Sequence, residues 1–200
     1  MQIAYIDLET DRDNRHILDM GAICGQQHIH TTHLPELLNT IQAADFLCGH
    51  HFLHHDFPHL QAHLAQLNFH AHDVIDTLLL SPLLFPARPY HALDKDYKTQ
   101  FDESNNPLTD CFITRDLLDS EQQAFFRLPE NLQTIFYQLL GQTNGFAAFF
   151  RSMGFQAACN DVAQLIHQTF HEHICHHAPL DDIITQHPTA LAYALSLIHC

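Results

Sequence analysis

The sequence predicts an α/β domain followed by a helical extension, and three observations carry the prediction. Short apolar runs of strand character alternate with helical patterns over roughly the first 85 residues. The stretch "NNPLTD" is a sharp helix start. From there to the end, apolar residues recur at helical spacing between Gly, Pro and His-rich breaks. The boundary is placed at residue 120, giving parts 1–120 and 121–200 that pack on each other, with no repeat or long linker between them.

In chain order, strands are expected at about 2–8, 16–24 and 27–32, a helix at 34–43, a strand at 45–49 and a helix at 56–67. "DVIDTLLLSPLLF" reads as a short strand running into a helix, and "PYHALDKDYK" as a further short helical piece. Asn106 can cap the next helix and Pro107 suits its first position, with Leu108 and Phe112 on one face. Further helices are expected at about 129–140, 144–152, 160–174, 179–186 and 188–199.

The chain has 200 residues, and 46% hydrophobic composition supplies a real core. There is no N-terminal signal pattern and no apolar run near the roughly 20 residues that span a bilayer, so a cytoplasmic protein is expected. The six cysteines form no CxxC pair, which fits free thiols in a reducing compartment. Eight Lys and Arg against 23 Asp and Glu give a formal charge of −15 with the 20 histidines neutral. A chain so acidic repels polyanions unless a metal ion or a partner supplies positive charge.

The chemistry starts in "IAYIDLET". On a strand, residues two apart share a face, so Asp7 and Glu9 project together while Ile6 and Leu8 point the other way. Two adjacent carboxylates repel, and a hard divalent cation such as Mg²⁺ or Mn²⁺ relieves that repulsion; the alternative is an exposed strand end with two solvated acids. Asp56 follows a strand and a Gly-His turn at the opening of a helix, and Asp110 lies in the first turn of the helix begun by Pro107.

Taken together, "YIDLET", "GHHFLHHD" and "NNPLTD" resemble the three motifs of the DnaQ-like DEDD exonucleases, the last being His-x-Ala-x-x-Asp in the DEDDh subgroup. The resemblance implies an RNase H-like mixed sheet flanked by helices, and Asp7, Glu9, Asp56 and Asp110 as ligands of two Mg²⁺ or Mn²⁺ ions. In that family the ions activate water and stabilise the leaving oxygen as a nucleotide is cut from a 3′ end. Over most of its length the chain is similar to the N-terminal exonuclease region of some bacterial RecQ-family DNA helicases. This implies a DNA 3′ end as substrate and a helicase region C-terminal to the chain. No Gly-rich phosphate loop with its lysine occurs in these residues, so ATP chemistry is not expected here.

The chain departs from the pattern at three points. Asn105 stands where the family's general-base His is found, and Asn106 where the tyrosine subgroup places its alternative; neither takes a proton from water near neutral pH. His51 replaces an Asn, and the interval from His50 to Asp56 is one residue longer than usual. Losing general-base help costs about 10²–10⁴ in rate. The base is therefore unassigned, with Asn105, His91 and His55 as candidates and Asn105 also explicable as a turn residue. The rival reading is a nucleic-acid-binding or docking module that keeps the fold and has lost turnover.

Arg88, Lys95 and Lys98, near the third motif, are the first candidates for phosphate contacts, although a solvated face explains any one of them. "HEHICHH" offers imidazole and thiol for zinc, but residues so close along a helix cannot all face one ion. A histidine-rich metal-binding protein unrelated to nucleic acid is a third reading. The abundant Phe residues, as in "AAFFRSMGF", read as core packing.

Overall fold

The computed structural model describes residues 1–13, 15–93 and 106–200. Five strands form one sheet: β1 (Ile3–Thr10), β2 (Ile17–Cys24), β3 (Gln27–Thr31), β4 (Phe46–Gly49) and β5 (Val74–Asp76). Their order is β3-β2-β1-β4-β5. β2 runs antiparallel to both β1 and β3, whereas β1, β4 and β5 are parallel, so the carboxyl ends of those three strands share one edge of the sheet.

Alternation in β1 sorts its residues between two cores. Ala4, Ile6 and Leu8 face helices α1 (Leu34–Ile41) and α2 (Phe57–Gln66), which bury Leu37, Ile41, Leu60 and Leu64 against them. Tyr5 faces the opposite layer, built from α3 (Thr77–Leu84), α4 (Pro107–Arg127) and the later helices. This is an α/β arrangement of a mixed sheet flanked by helices.

The 21-residue α4 lies across β1, β2, β3 and β4 and continues past residue 120, so the expected boundary falls within one helix. The helices α5 (Glu130–Leu140), α6 (Ala147–Ser152), α7 (Val162–Thr169), α8 (Leu180–Gln186) and α9 (Pro188–His199) complete the second layer. Phe125 of α4 meets Phe149, Phe150 and Phe155 edge-on, with ring centroids 5.7, 5.5 and 4.9 Å away. Gly145, at φ 86°, pairs alongside Ile75, and its carbonyl accepts the Asp76 N–H at 3.2 Å. A Cβ there would meet the Cδ1 ends of Leu79 at 2.6 Å and Leu53 at 2.9 Å, and the positive φ favours glycine where this loop closes on β5. From α9, Tyr193 and Ser196 donate to the carbonyls of Leu79 and Leu83 on α3.

Two expected helices are corrected. Residues 89–93 of "PYHALDKDYK" are not helical; Pro86 and Pro89 supply no N–H donors and bias their predecessors toward extended backbone, and the remainder lies outside the described residues. The helix expected at 160–174 ends at Thr169, where burial of Phe170 completes its apolar stripe and the exposed His171–His173 stretch offers no further face to bury. All six cysteines are free. Among the described residues, no helix is long and apolar enough to cross a membrane.

Candidate carboxylate site

Asp7 and Glu9 stand on the β1 face that α4 covers, near the carboxyl ends of the parallel strands, where open α/β sheets commonly place their ligands. Asp7 lies directly opposite Gly21 of β2. A Cβ at Gly21 would come within 2.4 Å of both the Pro107 carbonyl carbon and the Leu108 nitrogen. This bare spot lets the first turn of α4 rest on the sheet, and that turn carries Asp110. The turn is held by Asn106, whose side-chain oxygen accepts the N–H groups of Leu108 at 3.0 Å and Thr109 at 3.4 Å.

Asp7, Glu9 and Asp110 thereby offer carboxylate oxygens that all lie within 4.8 Å of one another. Octahedral coordination at about 2.0–2.1 Å puts neighbouring and opposite ligands about 3–4 Å apart, so small side-chain adjustments accommodate one Mg²⁺ or Mn²⁺. The donor chemistry fits a hard cation. Among the described residues this is the one cluster of three or more His, Cys, Asp or Glu with such spacing, and the histidines of "HEHICHH" form none.

Asp56 is not one of the three. It is 2% exposed, and its Oδ1 accepts the backbone N–H of Leu8 at 2.9 Å. It nevertheless lies close to the cluster: burial, followed by the charges of Asp7, Asp110 and Asp56, pushes the Cys111 thiol far up. Burial also raises the Asp56 pKa, against the hydrogen bonds of His55 and Leu8. His55, half-buried, places Nδ1 3.5 Å from Asp56 Oδ1; Asp56 raises its pKa, and the Glu9 charge adds to the effect.

The turn between β4 and α2 carries imidazoles outward, with His51 near His54 and His55, and His55 near His59. His51 has φ 64°, a left-handed conformation that residues other than glycine adopt only at a cost, Asn more readily than His. His50 is pushed down to about 4 by burial and then by His51, and its Nδ1 lies 2.9 Å from Thr77 Oγ1. His91 packs beside His50; burial and then Arg88 lower its pKa. Arg88 is exposed, with its guanidinium 4.1 Å above the Phe85 ring. Asn105, Lys95 and Lys98 lie outside the described residues.

Two features of the site were not picked out from the sequence. Gly21 interrupts the apolar run "ILDMGAIC", a mark of close backbone approach. Asp76 ends β5 and is fully buried, with three backbone N–H groups on its carboxylate. An open depression of about 570 Å³ in the helical extension, lined by Asp161, His167, His171 and His176 among others, includes none of the site's carboxylates. Comparison with family models, with curated proteins and with solved structures finds no match.

Proposed function

We propose that the chain is an RNase H-like, metal-dependent 3′–5′ exonuclease acting on DNA, as the N-terminal part of a RecQ-like helicase. The observation that carries this reading is the convergence of Asp7, Glu9 and Asp110, from a strand and a distant helix start, within 4.8 Å. Two further features support it: the strand order with β2 alone reversed, which is consistent with an RNase H-like layout, and Asp56, whose carboxylate bonds the Leu8 N–H between Asp7 and Glu9.

In this reading Asp7, Glu9 and Asp110 hold Mg²⁺ or Mn²⁺, and Asp56 completes the ligand set for a second ion. When bound, such ions lower the pKa of water and neutralise charge on the scissile phosphate. The chain's own residues orient the substrate end against β1. Asp56 fixes β1 through Leu8 and turns His55 toward it, and His55 beside Glu9 is the described imidazole best placed to handle a proton. Arg88, with Lys95 and Lys98, supplies phosphate contacts.

The test is a labelled single-stranded DNA oligonucleotide incubated with Mn²⁺, wild type against Asp7→Ala. Metal-dependent shortening from the 3′ end in the wild type alone is expected. Equal shortening by the two proteins, or none by either, removes the enzyme reading; retained oligonucleotide binding would then favour the docking module.

A further inference from the structure

We propose that Asp76 and Thr77 are positioning residues of the carboxylate site: they latch the turn after β4 and thereby set where His55 and Asp56 stand relative to Asp7 and Glu9. The functional meaning of the latch rests on the nuclease reading above, while the latch itself rests on geometry.

Both residues are fully buried where β5 passes into α3. Asp76 Oδ1 accepts the His51 N–H at 3.0 Å and the Leu78 N–H at 3.1 Å, and Oδ2 accepts the Leu53 N–H at 3.0 Å. One carboxylate thus caps α3 and holds the turn at two alternate amides. Thr77 Oγ1 donates to the Gly49 carbonyl at 3.4 Å and pairs with His50 Nδ1 at 2.9 Å. Between them, the two side chains engage residues 49, 50, 51 and 53.

The turn needs such a hold because His51 sits at φ 64°, a conformation that is strained for a non-glycine residue and persists only when its surroundings fix it. Past the latch, the bonding continues without a break. The His54 and His55 N–H groups donate to the His51 carbonyl, the Asp56 N–H donates to that of Phe52, and Asp56 Oδ1 receives Leu8. Asp76 is itself anchored, its N–H donating to Gly145. Both its oxygens are occupied by backbone amides and it lies outside the carboxylate cluster, so it positions the site rather than binding at it.

The experiment compares Asp76→Asn and Thr77→Val with wild type, and uses Asp73→Asn as a control, since that carboxylate pairs with Arg151 and accepts the His70 N–H and bonds none of residues 49–53. Hydrogen exchange over residues 50–56, thermal melting, and kcat and KM for Mn²⁺-dependent shortening are measured at a temperature where each protein is folded. In folded Asp76→Asn, exchange across 50–56 should rise at least about tenfold and kcat fall by about tenfold or more, with KM within about threefold, because small misplacements at a reacting centre cost rate steeply. Thr77→Val should move in the same direction, and Asp73→Asn should stay within about twofold. A merely structural role lowers the melting temperature and leaves kcat of the folded protein unchanged, which would overturn the proposal. Should Asp76→Asn fail to fold, Thr77→Val decides by the same readings. In the wild type itself, the His51 and Leu53 amides must exchange as slowly as those of α3; rapid exchange there overturns the latch. A wild type with no metal-dependent shortening removes the nuclease reading and leaves the latch to be judged by exchange alone.

Discussion

The backbone N–H of Leu8 donates to Asp56 Oδ1 at 2.9 Å, linking residues 48 apart in the chain. β4 pairs with β1 only from Ile3 to Tyr5, and beyond that point Asp56 stands in for the missing neighbour strand. The carboxylate therefore completes the hydrogen bonding of the strand on which Asp7 and Glu9 sit. Replacing Asp56 with Ala leaves this buried N–H without an acceptor, and urea denaturation should show a loss of about 1–3 kcal/mol.

Mn²⁺ should raise the melting temperature of the wild type, because a ligand that binds only the folded chain stabilises it by about 2.7 kcal/mol at a hundredfold excess over Kd. Asp7→Asn should abolish the shift, and a chelator should reverse it. Calorimetric melting with and without the ion checks both.

Gly21→Ala should separate α4 from the sheet. The added Cβ meets backbone at 2.4 Å, which no rotamer change relieves, so a cost of about 1–3 kcal/mol or more is expected. Because Asp110 rides on that turn, Mn²⁺ affinity should weaken even in the folded fraction, as read by titration followed through electron paramagnetic resonance.

Asn106→Ala should fray the same turn by removing its cap, at a cost of about 0.5–2 kcal/mol. Gly at this position should cost only a few tenths of a kcal/mol. Chemical denaturation of the two variants distinguishes a lost cap from a general loss of packing.

Glu121 contributes to the pH dependence of stability. It is fully buried on α4, with Oε1 accepting from Ser81 Oγ at 2.8 Å, and burial pushes its pKa well above 4.5. The folded chain binds this proton more tightly than the unfolded chain does. The stabilising contribution is therefore complete below the ordinary value and is lost as pH rises through the elevated one, with a slope of about 1.4 kcal/mol per pH unit. Glu121→Gln removes that slope, so the variant should gain on the wild type as pH rises from 4.5 toward 8 in denaturation series. Burial raises Asp56 and Asp76 in the same direction, so the variant's profile should flatten without becoming level.

Period and punctuation made most of the fold legible. β1 alternates cleanly, "NNP" announces α4, and the apolar stripes of α5 and α9 stand where their spacing puts them. Strand alternation and a helix start, both local, mark Asp7, Glu9 and Asp110 in the sequence; that they belong to one set was only implied by the resemblance, and their convergence rests on the packing of α4 against Gly21. The role of Asp56 in completing β1 depends on where β4 stops, a long-range fact with no local signal. Asp76 carries no local signal for a similar reason: an acid at a strand-to-helix junction looks like an ordinary cap until the turn from β4 comes to lie on it. The end of α7 was set by tertiary burial, which the polar run after Phe170 does not provide.

The closure of Gly145 on Ile75 has a consequence for the sheet's outer margin. A bare terminal strand recruits other chains edge to edge, the route to aggregation and strand exchange. By laying its own loop along β5, the C-terminal half blocks that route on one flank, so cutting the chain before this loop should yield protein prone to precipitate on refolding.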